Sequence, residues 1–287
     1  MENNKYVVAC INGVPPSEAV CDYSSWLSLK LKKNLKLFHT LDHQSTEGVS
    51  DLSGNIGIDS RDELLEELVA VEHEQNNLLR KKARIILEAA KRRAEKNAVI
   101  DPKLCLKNGR LLDNVLDFKN DIEALVIGRY GLNHQKSPEK SVGHKVEAVI
   151  RSLEKPILVV SKPFEAPSSL LLAFDGSSAS EKALSYLLSQ EAFKDLEVHV
   201  VYVGEKSEIS VSFVNEALAR LKASSYKALG VYLTGDTDKE ILNYLQDNNI
   251  SMTVMGAFGH HWLRNLLMGS FTSKMLSLSE KPLFLIR

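Results

Sequence analysis

The chain has 287 residues, of which 44% are hydrophobic and 25% are charged, and its formal net charge is −1 at pH 7. The balanced charge gives no overall attraction to nucleic acid or to an anionic membrane, so we expect neither as a partner. No apolar run approaches the roughly 18–20 residues that span a bilayer, and the first residues lack the pattern of a secretory signal.

Short apolar runs alternate with amphipathic stretches in the first half, which is the pattern of a parallel sheet buried on both faces. The predicted strands are Val7–Ile11, Leu35–Leu41, Ala124–Ile127 and Ile157–Val160. The periodicity predicts helices over Ser17–Leu31 and Asp59–Asn97, and a polar loop over 42–57. The second helix begins acidic and ends basic, which its dipole favours; we interpret that basic end as solvated rather than as a binding patch.

The second half repeats this order after a proline-containing linker, Ser161–Ser169. An apolar run ending in Asp-Gly at 175–176 precedes a predicted helix over Ser178–Leu188 and a strand over Val198–Val203. We therefore predict two tandem α/β domains, residues 1–162 and 168–287, each with an open parallel sheet. Cys10, Cys21 and Cys105 are odd in number and lack metal-type spacing, which predicts reduced thiols in a cytoplasmic protein.

A glycine frame distinguishes the two halves. In the second half, Gly256, Gly259, Gly269 and Ser270 stand in the spacing G-x2-G-x9-G-S, directly before a predicted helix that runs to about Leu278. Glycines let a backbone turn and approach an anion closely, and free N–H groups at a helix start bind phosphate oxygens. The alternative is that these glycines only make turns and that Ser270 only caps the helix.

Further polar groups are expected at this glycine frame. The hydroxyls of Ser270 and Thr272 would add ligands for phosphate oxygens. Asp175, at the end of its strand, could accept hydrogen bonds from a ribose or hold a divalent metal that bridges to phosphate. The whole constellation favours a phosphate site over simple turns.

The combination of Asp175–Gly176, Met255–Gly259 and Gly269–Thr272 resembles the universal stress protein family, and the resemblance extends over nearly the whole chain as a tandem pair. It implies a five-stranded parallel sheet in each half and ATP, or AMP or ADP, bound in the second half, with Mg²⁺ at Asp175. Adenine would lie near Val203 and Ala173, and ribose near Asp175. The resemblance implies this full set of nucleotide-binding residues: Ala173, Asp175, Val203, Met255, Gly256, Gly259, Gly269, Ser270, Phe271 and Thr272.

The first half departs from that pattern. Asn12 replaces the aspartate, the loop between Gly131 and Gly143 is two residues longer, and His144 stands where the second half has Ser270. We expect this half to have lost ordinary ATP binding and to keep a scaffold or interface role, the alternative being a nucleotide bound in an altered pose.

Three classes of function remain open at this point. The main hypothesis is an ATP-binding module for stress response or signalling. The second is an enzyme, either a slow nucleotide hydrolase or an adenylating enzyme; the absence of an evident general base or phosphate-directed lysine disfavours rapid catalysis, so no catalytic residue is assigned. The third is a pure interaction protein. The apolar last strands of the halves are expected to pair, within one chain or between two chains. The long predicted helix Asp59–Asn97 offers further apolar surface, and for that reason we favour a homodimer.

Overall fold

A computed structural model describes residues 5–41, 58–130, 142–257 and 270–287 of the chain. The strands are β1 (Tyr6–Cys10), β2 (Asn34–Leu41), β3 (Lys103–Asn108), β4 (Ile122–Gly128), β5 (Ile157–Val160), β6 (Ser169–Ala173), β7 (Glu197–Val203), β8 (Ala228–Leu233), β9 (Met252–Gly256) and β10 (Leu283–Ile286). The helices are α1 (Ser17–Leu31), α2 (Ile58–Lys96), α3 (Leu111–Asp117), α4 (His144–Ser152), α5 (Ser178–Ser189), α6 (Glu208–Ala223), α7 (Thr237–Asp247) and α8 (Ser270–Leu278).

These strands form one sheet in the order β3-β2-β1-β4-β5-β10-β9-β6-β7-β8. Every pairing within a half is parallel. Each half therefore contains five parallel strands in the same relative order, which confirms the predicted α/β fold class. Parallel neighbours require crossover connections, and the helices supply them.

The two halves join through the last strand of each. Strand β10 pairs antiparallel with β5, with Leu283 opposite Val159 and Phe284 opposite Leu158. This pairing confirms the prediction that a tandem chain can join these strands internally. It also covers two apolar strand edges that would otherwise be exposed to aggregation.

A layer of helices covers each face of the sheet, and each layer spans both halves. Buried side chains of α1, α2, α5 and α6 form one hydrophobic cluster, and those of α3, α4, α7 and α8 form the other. Strand residues alternate between the faces, so that Val7 belongs to the first cluster and Val8 to the second. The halves therefore share continuous cores rather than meeting at a polar boundary.

The linker is packed against the first half. The ring of Phe164 lies 4.8 Å from that of Tyr23 in α1, edge to face. The Tyr23 hydroxyl donates to the carbonyl of Glu165 at 3.4 Å and accepts from its N–H at 3.3 Å. The predicted linker is thus anchored on α1, and its final residue already belongs to β6.

Two arginines cross from one half to a helix end in the other. Nη1 of Arg129, which follows β4, donates to the carbonyl of Ser277 in the last turn of α8 at 3.2 Å. Nη1 of Arg287, which follows β10, donates to the carbonyl of Ile150 in the last turn of α4 at 3.1 Å. A cation at a helix C-terminus is favourable, so each arginine stabilises a helix of the opposite half.

The cysteines are free thiols, and burial raises the pKa of Cys10 and of Cys21 to about 12. In the part of the chain that the structure describes, no helix combines the length and the apolar character needed to cross a membrane.

Candidate functional site

The candidate site lies where the strand order of the second half reverses, between β6 and β9. The register places Ala173, the last residue of β6, opposite Val201 in β7 and Met255 in β9. The carboxyl ends of these three strands therefore meet at one edge of the sheet. Ligands of open parallel sheets bind in the crevice at this kind of reversal.

The structure brings several of the predicted residues to this edge. Val203 is the last residue of β7, Gly256 is the last residue of β9, and Asp175 follows β6 by two positions. Ala173 and Val203 are half-buried and pack beside the core of the second helical layer. Their apolar side chains and the polar Asp175 are suited to a ligand with both a flat apolar part and hydroxyl groups.

Asp175 is held in a tight turn that leads into α5. Its Oδ1 accepts a hydrogen bond from the N–H of Ser177 at 3.0 Å. Partial burial raises the pKa of Asp175, but hydrogen bonds from Ser177 and Ser180 outweigh that effect, and the net pKa is lowered. The carboxylate is therefore charged at neutral pH, and Asp175 remains exposed at the surface.

The serines that hold this carboxylate were not predicted from the sequence. The Ser177 hydroxyl accepts from the N–H of Ser180 at 3.3 Å and caps α5. A serine two positions after an aspartate and three before another serine is a signal for this turn and cap. Gly176 completes the turn at φ +74°, a conformation that side chains disfavour, and a Cβ there would lie 3.2 Å from the ring of Phe213.

Gly256 has a packing reason that the sequence did not reveal. A Cβ at this position would lie 2.0 Å from the backbone carbonyl oxygen of Ala179 in the first turn of α5. Backbone atoms cannot move aside as a flexible side chain can. Glycine at 256 is therefore required for β9 to approach α5, whatever its predicted part in contacting an anion.

The predicted phosphate-binding segment is described in part. Gly259 and Gly269 lie outside the described residues, and Ser270 is the first residue of α8. Because α8 connects the parallel neighbours β9 and β10, its N-terminus lies at the carboxyl edge. Thr272 is buried, and Phe271 packs on the hydrophobic core, so the side chain of Phe271 stabilises the fold.

An aromatic cluster stands next to this edge and was also missed. The ring of Tyr202, one position before Val203, lies 5.6 Å from that of Phe213 and 6.4 Å from that of Tyr232. Nζ of Lys206 lies 4.9 Å above the ring of Tyr232. These residues come from β7, β8, α6 and the loop after β7, so no local sequence pattern connects them.

The comparisons with known proteins decide the family. The chain is 31% identical over 287 residues to Universal stress protein Slr1230 from Synechocystis sp., an alignment that covers 99% of this chain and 100% of that protein. The chain belongs to the universal stress protein family. The family's sequence profile, described as "Universal stress protein family", matches residues 168–287. The resemblance stated from the sequence is thereby confirmed.

Two further comparisons show how this universal stress protein relates to others. It is 25% identical over 146 residues to Universal stress protein YxiE from Bacillus subtilis, covering 42% of this chain and 99% of that one. It also resembles the crystal structure of a universal stress protein from Archaeoglobus fulgidus DSM 4304, with a TM-score of 0.71 and 17% identity, covering 100% of this chain and 99% of that chain. The latter likeness concerns the fold.

The first half of this universal stress protein contains a turn like the one at Asp175, but with the neutral Asn12 in place of the charged aspartate. Oδ1 of Asn12 accepts from the N–H of Val14 at 3.2 Å and from the Ser17 hydroxyl at 2.6 Å. Gly13 adopts φ +76°, as Gly176 does in the second half. The helix that follows the first glycine loop has Gly143 as its capping residue and exposed His144 as its first residue.

Few of the described side chains in this region could bind a metal ion. Across the residues that the structure describes, no three His, Cys, Asp or Glu side chains lie close enough together to hold a metal ion. Asp175 by itself offers a single carboxylate, so a divalent cation there would need the oxygens of a bound phosphate and of water.

Proposed function

We propose that residues 168–287 form a domain that binds one adenine nucleotide, ATP, and that the chain acts as a binding or signalling module in a stress response. Adenine would lie against Val203 and Ala173, with the ribose at Asp175. Asp175 would hold Mg²⁺, which would offset the negative charge of the phosphates. The phosphates would contact Gly256, Gly259, Gly269 and the first turn of α8.

The observation that carries this proposal is the difference between two matching turns. Asp175 and Asn12 make the same backbone contacts after the first strand of their halves, so the turn alone does not require a charge. The negative charge occurs in the half whose glycine spacing is G-x2-G-x9-G-S. A ribose hydroxyl or a phosphate-bound Mg²⁺ explains why a carboxylate is needed there.

We propose a different part for residues 1–162. The neutral Asn12 and the longer glycine loop weaken the case for a nucleotide in this half. Its contacts with the second half, through β5 and Arg129, support a scaffold role.

Calorimetric titration tests the stoichiometry. ATP with Mg²⁺ should bind at about one site per chain, and parallel titrations with ADP and AMP identify the preferred nucleotide. Two equivalent sites per chain, or no binding with Mg²⁺ present, would overturn the proposal. A turnover assay with labelled ATP separates a binding module, which leaves the nucleotide intact, from a slow hydrolase.

A matched pair of glycine variants tests the location of the site. Gly269→Val should abolish ATP binding while circular dichroism stays unchanged, because a β-branched side chain prevents close approach of the backbone to phosphate. Gly143→Val makes the same change in the first half and should leave ATP affinity unaltered. Equal effects of the two variants would place the site elsewhere.

A further inference from the structure

Helix α2 extends well beyond the domain that it belongs to. Its buried residues, Ala83, Leu87, Ala90 and Ala94, are spaced to face the core and are confined to its C-terminal part. From 69 to 82 every position is exposed except the half-buried Asn76. At a rise of 1.5 Å per residue, this exposed part, residues 69–82, is about 20 Å long.

This projecting part has an apolar line along one side. Val71, Leu78 and Ile85 are 46%, 67% and 68% exposed. They are seven residues apart, so they lie on one face of the helix, and that face is opposite the core-facing residues such as Ala83 and Leu87. Most helices in proteins gain their stability by packing an apolar face, and a lone helix in water is marginal. A line of this spacing fits a partner helix.

The charges along α2 identify that partner. The N-terminal stretch is acidic apart from Arg61 and contains Asp59, Asp62, Glu63, Glu66, Glu67, Glu72 and Glu74. The exposed stretch that follows is basic, with Arg80, Lys81, Lys82 and Arg84. A second copy of the same helix in the antiparallel direction would bring the basic stretch of each copy beside the acidic N-terminal stretch of the other. A parallel copy would bring like charges together, which costs stability.

We propose that two copies of this protein associate through α2, packed antiparallel about a two-fold axis that passes between Glu74 and Gln75. Val71 then faces the partner's Leu78, and Leu78 faces the partner's Val71. The basic residues at 80–84 lie beside residues 65–69 of the partner, which include Glu66 and Glu67. This interface is self-complementary, as a two-fold contact must be, and it leaves β5 and β10 paired within each chain.

The molar mass in solution tests this association. Light scattering at micromolar concentration should give twice the 32.0 kDa of one chain for the wild type and one chain mass for Leu78→Glu. Ile209→Glu is the matched control, because Ile209 is an apolar residue on α6 that is 75% exposed, and it should leave the dimer unchanged. A wild-type mass of one chain, or a Leu78→Glu variant that remains a dimer, would overturn the proposal.

The antiparallel register can be tested by cross-linking. Val71→Cys and Leu78→Cys proteins, mixed and oxidised, should form a disulfide-linked dimer in much higher yield than either protein alone. The wild type, which keeps Cys10, Cys21 and Cys105, reports the background. Strong cross-linking of each variant with itself would show a parallel pair. No cross-linking above background in any mixture would rule out this register.

Discussion

At the scale of single residues, one charge distinguishes two turns that are otherwise equivalent. Asn12 and Asp175 each accept a hydrogen bond from the N–H two residues later, and each precedes a glycine with positive φ. Asparagine therefore satisfies the conformation fully. The presence of the Asp-Gly pair was evident from the sequence, but the serines that stabilise the carboxylate were not, since they are placed by the helix cap.

Asp175→Asn should preserve the fold, because Asn12 shows that the amide supports the same turn. The loss of charge should weaken Mg²⁺-ATP binding by about tenfold, equal to about 1.4 kcal/mol. Titration with and without Mg²⁺ measures this, and the affinity without Mg²⁺ should change less. An unchanged affinity for Mg²⁺-ATP would mean that Asp175 contacts neither the ribose nor the cation.

The stability contributed by Asp175 should depend on pH in one direction. Its pKa is lowered in the folded protein, so the contribution is complete above the ordinary carboxyl pKa of about 3.9 and is lost as the pH falls through the folded value. The difference in Tm between wild type and Asp175→Asn should be constant from about pH 8 to 5 and shrink only below about pH 4. Scanning calorimetry over that range checks the sign.

Gly256→Ala should destabilise the protein although it adds one methyl group. The added carbon would meet the backbone of Ala179, so β9 or α5 must shift, and overpacking of this kind costs about 1–3 kcal/mol. Urea unfolding measures the loss. The comparison is Gly128→Ala in the first half, where the nearest atom is a side-chain carbon of Pro16 at 2.9 Å. We expect the smaller loss there, since a side chain yields more easily than a backbone carbonyl.

At the scale of elements, central strands could be predicted from the sequence and edge strands could not. β1, β4, β5 and β6 are apolar runs because both of their faces are covered. β3 begins with an exposed lysine and β8 contains Gly230, and neither has a buried residue, so neither gives a continuous apolar signal. The candidate site could be predicted only in part for a similar reason. The order of residues along the chain does not reveal that Tyr202, Phe213 and Tyr232 meet in the folded protein.

A pair of leucine-to-lysine variants tests the importance of the central join. Leu158→Lys places a charge in the fully buried pair with Phe284, and an uncompensated buried charge costs about 3–5 kcal/mol. Leu229→Lys makes the same change on the outer strand β8, where the leucine is 37% exposed, and should cost less than about 1 kcal/mol. Chemical denaturation of both variants compares them directly. Similar losses in the free energy of unfolding would mean that the β5–β10 pairing contributes no more to stability than the outer strand β8 does.

At the scale of the whole molecule, the halves are joined by noncovalent contacts as well as by the chain. Both hydrophobic clusters span the halves, and Arg129 and Arg287 each reach a helix of the other half. Pairing of the last strands was predictable because both strands are apolar and end their domains. The crossing arginines were not, since their acceptors are backbone carbonyls far away in sequence.

Cutting the linker should therefore leave the two halves together. A protease site inserted between Ala166 and Pro167 keeps Phe164 and Glu165 on the first fragment. After cleavage, the two fragments should elute together in size-exclusion chromatography at the volume of the uncut protein. Separation of the fragments under native conditions would show that the covalent connection, rather than the packed surfaces, holds the halves together.

The location of both β5 and β10 on one chain has a consequence for sequence divergence. In a dimer of separate chains, both partners are copies of one sequence. A substitution that removes a ligand-binding residue therefore affects both sites at once. Here the partner strand is supplied at a high effective concentration by the same chain, and dilution cannot exchange it. Each molecule therefore contains one copy of each half. One half can change its sequence, as at Asn12 and in its longer glycine loop, while the other retains its own.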